Sequence, residues 1–436
     1  MDSIRVALLG HGTVGSSLHQ LLVEHREHVR AATQRDVEVT AVLVRDVDRA
    51  RPGLDPTTTL VTDSLEELLA SKPDVVCEAM GGIEPTREYL LALLDRGIPV
   101  VTANKQLVAR HGTELFARAA AARTQLRFEA SVCGAVPIVR MLRESLAATR
   151  IECLLGILNG TTNYMLSAMA ANGTSYADAL ATAQDLGYAE PDPTEDVEGI
   201  DAAAKLSILA GIAFGTTVDV DDVRTTGISG VTADDVAHAH VLGARIKLVA
   251  RAERLLAPGG GHTIALDVTP MLVPERHPLA AISGATNAVL VDGAPFGQLV
   301  VQGAGAGGPE TASALAGDLV SVLGSEPSFL TSDPHVAHLA VAPRDARSER
   351  HYVRMRVADR PGVLAAVAGA LAAHGVSIER VIQQRAEGAD GTGASEASLV
   401  LTTHPCAPGD LETALATVES ADRTVLPMLD APEAAS

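Results

Sequence analysis

The first fifteen residues constrain the fold more than any other stretch of the chain. Ile4-Arg5-Val6-Ala7-Leu8-Leu9 is a short apolar run, and Gly10-His11-Gly12-Thr13-Val14-Gly15 follows it at once. A Gly-x-Gly-x-x-Gly match is weak by itself. One that ends an apolar strand and opens a helix carries a physical reason for each glycine. Gly10 permits the tight turn, Gly12 lets the main chain approach a pyrophosphate, and Gly15 allows close helix–strand packing. The helix N-terminus then offers unpaired N–H groups and positive potential to an anion. The alternative is a glycine turn with no ligand.

The pattern continues as this start requires. Strands are expected at Ile4–Leu9, Val37–Val44, Asp74–Glu78, Pro99–Thr102 and Leu126–Glu129. Helices are expected at Val14–Arg30, Ser64–Ser71, Thr86–Arg96 and Gly112–Arg123. Such alternation reads as a parallel sheet covered by helices on both faces. With 436 residues, two or three domains are expected, and 47% hydrophobic content can bury a large core. The net charge of -20 argues against nucleic acid or an anionic membrane as partner. Cys77, Cys133, Cys153 and Cys406 are scattered, without a CxxC pair, so reduced thiols and a cytoplasmic location are expected. No signal peptide and no apolar run long enough to span a bilayer is read.

Two features bear on a dinucleotide. The second strand ends at Val44-Arg45-Asp46. Arg45 suggests a clamp on a 2′-phosphate and hence NADP. The rival reading gives the ribose to Asp46, which would suit NAD. Thr102-Ala103-Asn104-Lys105 ends another strand, where ligands of such sheets sit, so Lys105 could reach cofactor or substrate; a solvated lysine is the alternative.

The region beyond residue 135 reads as α+β. A helix near Ile138–Ala148 leads to a strand, Ile151–Leu158. Asn159-Gly160-Thr161-Thr162-Asn163 then looks like a turn with Thr161 or Thr162 near the cap of the next helix. Further strands are expected at Ala244–Ala250, Thr263–Met271, Ala288–Val291 and Leu299–Val301, and a helix at Pro309–Leu323. Within this region Asp185–Leu206 concentrates Glu190, Asp192, Glu195, Asp196, Glu198 and Asp201 ahead of Lys205. On a helix Asp201 and Lys205 share one face. A lysine held by carboxylates can donate the proton that carbonyl reduction needs. A solvated acidic loop with a surface ion pair is the plain alternative.

Residues 326–349 read as a linker. A βαββαβ pattern follows: strand His351–Val357, helix Pro361–His374, strands Val376–Gln383 and Ala397–Thr403, helix Gly409–Val418 and strand Thr424–Leu429. Glu387–Ser395 reads as a mobile hairpin loop.

Taken together, the glycine-rich start, Ala103-Asn104-Lys105, Leu186-Gly187-Tyr188-Ala189-Glu190-Pro191-Asp192-Pro193 with Asp196, Asp201 and Lys205, and Gly303-Ala304-Gly305-Ala306-Gly307 make the chain resemble homoserine dehydrogenases over about residues 4–430. The C-terminal unit, with Asp359-Arg360-Pro361-Gly362, resembles an ACT domain. The implied fold class is α/β. It has a Rossmann-type parallel sheet over 1–135, with the 305–325 helix packing back on it. A central α+β catalytic and dimerisation domain spans 136–304, and a ferredoxin-like ACT domain spans 350–430. The implied reaction is reversible NAD(P)H-dependent reduction of L-aspartate 4-semialdehyde to L-homoserine, in threonine, methionine and isoleucine biosynthesis. The resemblance makes Lys205 the general acid/base, with Glu190 and Asp201 holding homoserine and Asp196 supporting them. It puts Thr13, Val14, Arg45, Lys105 and Gly303 beside Gly10, Gly12 and Gly15 at the cofactor, and Gly187 at the cofactor–substrate junction. It implies a monovalent-cation site, sodium by preference, built mostly of carbonyls at Glu129, Val132, Gly134 and Val136. It also implies a homo-oligomer, dimer or tetramer, and feedback by L-threonine, with a ligand-free assembly module as the alternative. Cys133 reads as a small buried hydrophobe rather than a nucleophile. Asp192, Glu195 and Glu198 read as ordinary charges.

Overall fold

The computed structural model describes residues 3–324, 339–385 and 396–430. The chain divides into two compact units that do not follow chain order. One comprises residues 1–154, 203–223 and 287–339, the other 155–202, 224–286 and 340–436.

In the first unit β1 (Ile4–Leu9), β2 (Val37–Leu43), β3 (Leu60–Thr62), β4 (Val75–Glu78), β5 (Val100–Thr102) and β6 (Leu126–Arg127) form a parallel sheet in the order β3-β2-β1-β4-β5-β6. The chain runs outward from β1 and then returns to lay β4 on its other side. The carboxyl ends of β1 and β4 therefore flank the switch point where ligands of open α/β sheets sit. Val6, Leu8, Val42 and Val101 are buried with Leu18 of the Thr13–Glu24 helix and with Leu315 and Leu319 of the Gly308–Gly324 helix. A methyl on Gly308 would lie 2.7 Å from Ser17 Oγ, so glycine is what lets the late helix pack against the first one.

Several expected boundaries move. The single helix expected over Val14–Arg30 breaks at His25, where φ is −104° and ψ 22°. A separate Arg26–Thr33 helix then buries Val29 and Thr33. The helix expected from Gly112 starts seven residues earlier, at Lys105, because Asn104 accepts the Leu107 N–H and caps it. The last strand of the sheet stops at Arg127, since Glu129–Ser131 is a 3₁₀ turn. The three-residue β3 was not anticipated; it is too short for alternation to register.

Chain order continues with β7 (Arg150–Ile157), β8 (Arg224–Thr225), β9 (Ala244–Leu256), β10 (His262–Pro274), β11 (Thr286–Ala294), β12 (Gly297–Ala304) and β13 (Ala340–Val341). It ends with β14 (Arg350–Ala358), β15 (Ile378–Arg385), β16 (Glu396–Thr403) and β17 (Asp422–Met428). In the second unit β9 and β10 pair antiparallel over thirteen residues each. The far edge of β10 is shared end to end by β13 at Thr263–Ile264, β8 at Asp267–Val268 and β17 at Leu272. Beyond β17 the order is β14-β16-β15, so the C-terminal strands run 4-1-3-2, as in a ferredoxin-like sheet. Their core is Val353, Met355, Leu371, Leu399 and Leu411.

Part of the expected linker and all of the expected mobile loop at 387–395 lie outside the described residues. The rest of that linker is not a linker in structure. Ala340–Val341 pairs with β10, and Arg347 is only 7% exposed, bound to Asp267, Glu253 and the Ala265 carbonyl. Glu349 bridges to Cys406 through the main chain. Charge and Pro/Ser content misled here because these polar groups are spent on buried ion pairs. The helix expected from Pro361 begins at Val363, after Gly362 takes a left-handed conformation at φ +93°.

Candidate active site

The glycine loop leaves the end of β1. Gly10 has φ +94°, and a Cβ there would lie 2.8 Å from the Ala79 carbonyl oxygen. One on Gly15 would lie 2.2 Å from the Gly10 oxygen. Gly12, the residue before the helix, faces open space, with nothing within 4 Å of where a Cβ would be. Thr13 is exposed, and Val14 is half-buried against the core. Two glycines are thus used by the protein itself, and the third leaves the helix N-terminus open. At the end of β2, Asp46 Oδ1 accepts the main-chain N–H groups of Asp48 and Arg49, each at 3.1 Å. One oxygen of that carboxylate is occupied by its own turn, while Arg45 is exposed.

On the other side of β1, β4 ends in Glu78, which is fully buried. Glu78 accepts the Thr102 hydroxyl and the amides of Met80 (2.7 Å) and Gly81 (3.2 Å). Burial pushes its carboxyl up, and those hydrogen bonds oppose the rise. Asn104 donates to the Gly82 carbonyl while capping the Lys105–Ala121 helix. Lys105 is therefore the first residue of a long, anchored helix and is half-buried. Sequence reading missed Glu78; its signal was a carboxylate closing the apolar run Val75-Val76-Cys77.

The Glu129–Val136 segment is buried almost throughout. The Glu129 carboxylate caps the Ile138–Arg140 turn, accepting Val139 N (2.8 Å) and Arg140 N (2.7 Å). Burial, reinforced by Asp318, pushes it up to about 7. Cys133 and Gly134 are both left-handed, at φ +58° and +50°, which turns the chain sharply between Val132 and Val136. Cys133 is 1% exposed. Among the described residues no three His, Cys, Asp or Glu side chains gather as metal ligands, so any cation here would depend on main-chain oxygens. Gly303, on β12, is half-buried, and a Cβ there would touch Val136.

In the second unit the acidic run is organised by Asn159. The residue nearest the cap is Asn159 itself rather than Thr161 or Thr162: its Oδ1 accepts Thr162 N at 2.9 Å. Its Nδ2 donates to Asp196 Oδ1 (2.6 Å) and to Asp201 Oδ2 (3.0 Å). Thr161 Oγ1 donates to Asp196 Oδ2 (3.1 Å) and to the Tyr188 carbonyl (2.7 Å). Asp201 is 2% exposed and Asp196 half-buried, whereas Glu190 is exposed. Gly187 ends the Tyr176–Asp185 helix with φ +77°. The N–H of Gly187 bonds the Gln184 carbonyl, and that of Tyr188 bonds the Ala183 carbonyl, a Schellman closure. Asp192 caps its own turn through Thr194.

Asp201 and Lys205 lie one turn apart on the Ile200–Phe214 helix, among Ala202, Ala203 and Ala204. Lys205 is 8% exposed, which excludes the surface-lysine alternative. The boundary between the two compact units falls within this helix, after Ala202. A second buried lysine was not anticipated. Lys247 of β9 donates to Asn163 Oδ1 (3.0 Å) and the Ile282 carbonyl, and Asn163 in turn donates to the Gly284 and Thr286 carbonyls. Burial lowers Lys247 to about 8.

Known proteins match this arrangement closely. The family profile described as homoserine dehydrogenase matches residues 137–320, its NAD binding domain residues 10–129, and the ACT domain residues 351–423. A homoserine dehydrogenase of Mycobacterium tuberculosis is 46% identical over 411 residues, 92% of this chain and 91% of the relative. The crystal structure of a homoserine dehydrogenase from Thiobacillus denitrificans superposes with a TM-score of 0.90 at 39% identity, covering 99% of both chains. A hyperthermophilic archaeal homoserine dehydrogenase in complex with NADPH matches with a TM-score of 0.62 at 25% identity, over 74% of this chain and 98% of that one. With the central, NAD-binding and ACT regions all matched on one chain, this protein belongs to the homoserine dehydrogenase family of oxidoreductases.

Proposed function

We propose that the chain interconverts L-aspartate 4-semialdehyde and L-homoserine, with Lys205 as the proton donor and acceptor. The observation that carries this is the pair of carboxylates, Asp196 and Asp201, fixed by one amide, Asn159, with Asp201 one helical turn ahead of a buried lysine. Reduction needs a proton for the developing alkoxide, and a buried ammonium one turn from a carboxylate is held where it can deliver one. Paired carboxylates also suit an α-ammonium group, with Asp201 and the exposed Glu190 taking that role and Asp196 orienting them. The cofactor supplies the hydride. Gly12 and the helix N-terminus would hold its pyrophosphate, with Gly10, Thr13, Val14, Gly15, Lys105, Gly187 and Gly303 as the other contacts. Arg45 is read as a 2′-phosphate ligand, which favours NADP over NAD, because Asp46 is engaged in its own turn. Reduction of NADP by L-homoserine at alkaline pH tests the whole reading; no turnover with either nicotinamide dinucleotide would overturn it.

The finer assignments go with it. Sodium at the carbonyls of Glu129, Val132, Gly134 and Val136 suits hard oxygen donors, and replacing sodium salts by lithium or choline salts should lower activity. L-threonine is read as an effector at the C-terminal module, where Asp359, Pro361 and Gly362 border a cavity of about 360 Å³. A cytoplasmic homodimer, and domains at 1–135, 136–304 and 350–430, complete the proposal.

A further inference from the structure

We propose that a cavity walled by β8, β10 and the C-terminal strands is a second small-molecule site, which binds a small α-amino acid as its zwitterion. Its volume is about 470 Å³, and it lies wholly within the second unit. It opens where the far edge of β10 is uncovered. Val268 pairs with Thr225 of β8 and Leu272 with Met428 of β17, and among the described residues no strand pairs with Thr269 to Met271 on that edge.

The charges of the wall are arranged unequally. Arg251 and Arg347 are buried and matched: Arg251 by Asp267 (3.3 Å) and Glu349 (2.7 Å), Arg347 by Asp267 and Glu253. Arg344 is paired with Glu412 at the half-exposed rim. Arg224 is different. It is half-buried, and among the described residues it has no carboxylate within ion-pair distance. Burial disfavours its charge most, Asp267 opposes that, and the neighbouring Arg347, Arg344 and Arg251 add to the disfavour. A ligand carboxylate at Arg224 would relieve that repulsion and gain a charge-assisted bond in a partly desolvated place. Glu349 and Glu412 border the same space and can receive an ammonium group. Inorganic phosphate would meet those carboxylates with no positive end to offer. Thr225 and Thr269 add hydroxyls, and Leu411 and Val425 an apolar side.

The site has a mechanical route to the carboxylate cluster. The Ile228 N–H bonds the Val197 carbonyl at 2.8 Å, and a Cβ on Gly199 would sit 3.4 Å from Thr225 Cγ2. The segment that carries Arg224 and Thr225 therefore buttresses the turn two residues before Asp201. A ligand there would alter substrate affinity; this consequence, unlike the binding itself, rests on the reading that Asp196 and Asp201 hold substrate.

Calorimetric titration of the full chain with L-threonine, glycine, L-aspartate and inorganic phosphate tests the site. At least one amino acid should bind, and Arg224→Gln should weaken that binding about tenfold. The melting temperature without ligand and the basal kcat should stay unchanged. Arg224→Lys should retain part of the affinity, and Asp359→Ala, at the other cavity, should leave the Arg224-dependent binding intact even if it removes a separate L-threonine site. Amino-acid binding unaltered by Arg224→Gln, no amino acid bound below about 10 mM, or phosphate bound more tightly than every amino acid would each overturn the proposal. A shift in the KM for homoserine should accompany binding in the wild type and vanish in Arg224→Gln. If binding depends on Arg224 but KM never moves, the site stands and its coupling to the carboxylate cluster fails, while the substrate reading is judged separately by the KM of Asn159→Ala.

Discussion

In the glycine loop, six consecutive residues establish the geometry: Gly10 and Gly15 are required by backbone contacts within 3 Å, and Gly12 leaves open space ahead of the helix. In the carboxylate cluster, Asn159 reaches across 37 residues to Asp196 and 42 to Asp201. The loop is a local object whose tolerance is set by sterics. The cluster is a long-range object whose integrity depends on hydrogen bonds to buried groups, which cost the full desolvation of a partner when one is removed. Damage to the two should therefore separate cleanly into cofactor effects and substrate effects.

The largest separation is expected at Lys205. Lys205→Ala should reduce kcat by roughly a hundred- to ten-thousand-fold, with NADPH binding, followed by nucleotide fluorescence, left within a factor of two or so. Near-normal kcat would remove Lys205 from proton transfer. Next, Gly15→Val should force the loop open against the Gly10 oxygen. NADPH affinity should fall more than about tenfold and the melting temperature by several degrees, while homoserine affinity of the surviving protein is little changed. The converse is Asn159→Ala, which strips a donor from two carboxylates. It should raise the KM for homoserine about tenfold or more and leave the Kd for NADPH alone; equal losses in both would mean the two regions are not independent. Arg45→Ala should weaken NADPH about tenfold and NADH hardly at all, and equal losses would return the ribose to Asp46.

The smallest effect concerns Lys247, which holds Asn163, one turn into the helix that Asn159 caps. Its folded-state pKa, about 8, lies below the value of roughly 10.4 for a free lysine. Between these values the unfolded chain holds more protons, so this group adds stability as pH rises through that window and removes it as pH falls through 8. Melting temperature measured from pH 7.5 to 10.5 should show that rise in the wild type and lose it in Lys247→Met. Parallel curves would place the titration elsewhere.

Reading the sequence went furthest where physics is local. The bounds of β1 were read as Ile4–Leu9, because an apolar run ending at a glycine has few other ways to fold. The βαββαβ order of the C-terminal module was read from its alternating strands and helices in the same way, and the structure adds the 4-1-3-2 strand order. Reading failed where a polar residue looked like surface and was core. Arg347 and Glu349 were taken for linker and are spent on buried ion pairs. Glu78 passed unnoticed at the end of a strand, although it holds the Met80–Gly81 turn and Thr102. Asn104 and Asn159 were seen inside motifs, yet their capping roles appear only once their helices are placed.

The sequence by itself determined the nucleotide-binding turn, the alternation that makes a parallel sheet, and the family. These depend on backbone freedom and side-chain period, which neighbouring residues express among themselves. Only the tertiary structure decided which charges are buried. It separated Asp201 and Lys205 from Glu190 and Asp192 within one acidic run, and among the described residues it left Arg224 without an ion pair beside three arginines that have one. Burial is set by what packs on a residue from elsewhere in the chain, and the chemistry of a charged group follows from that environment more than from its neighbours in sequence.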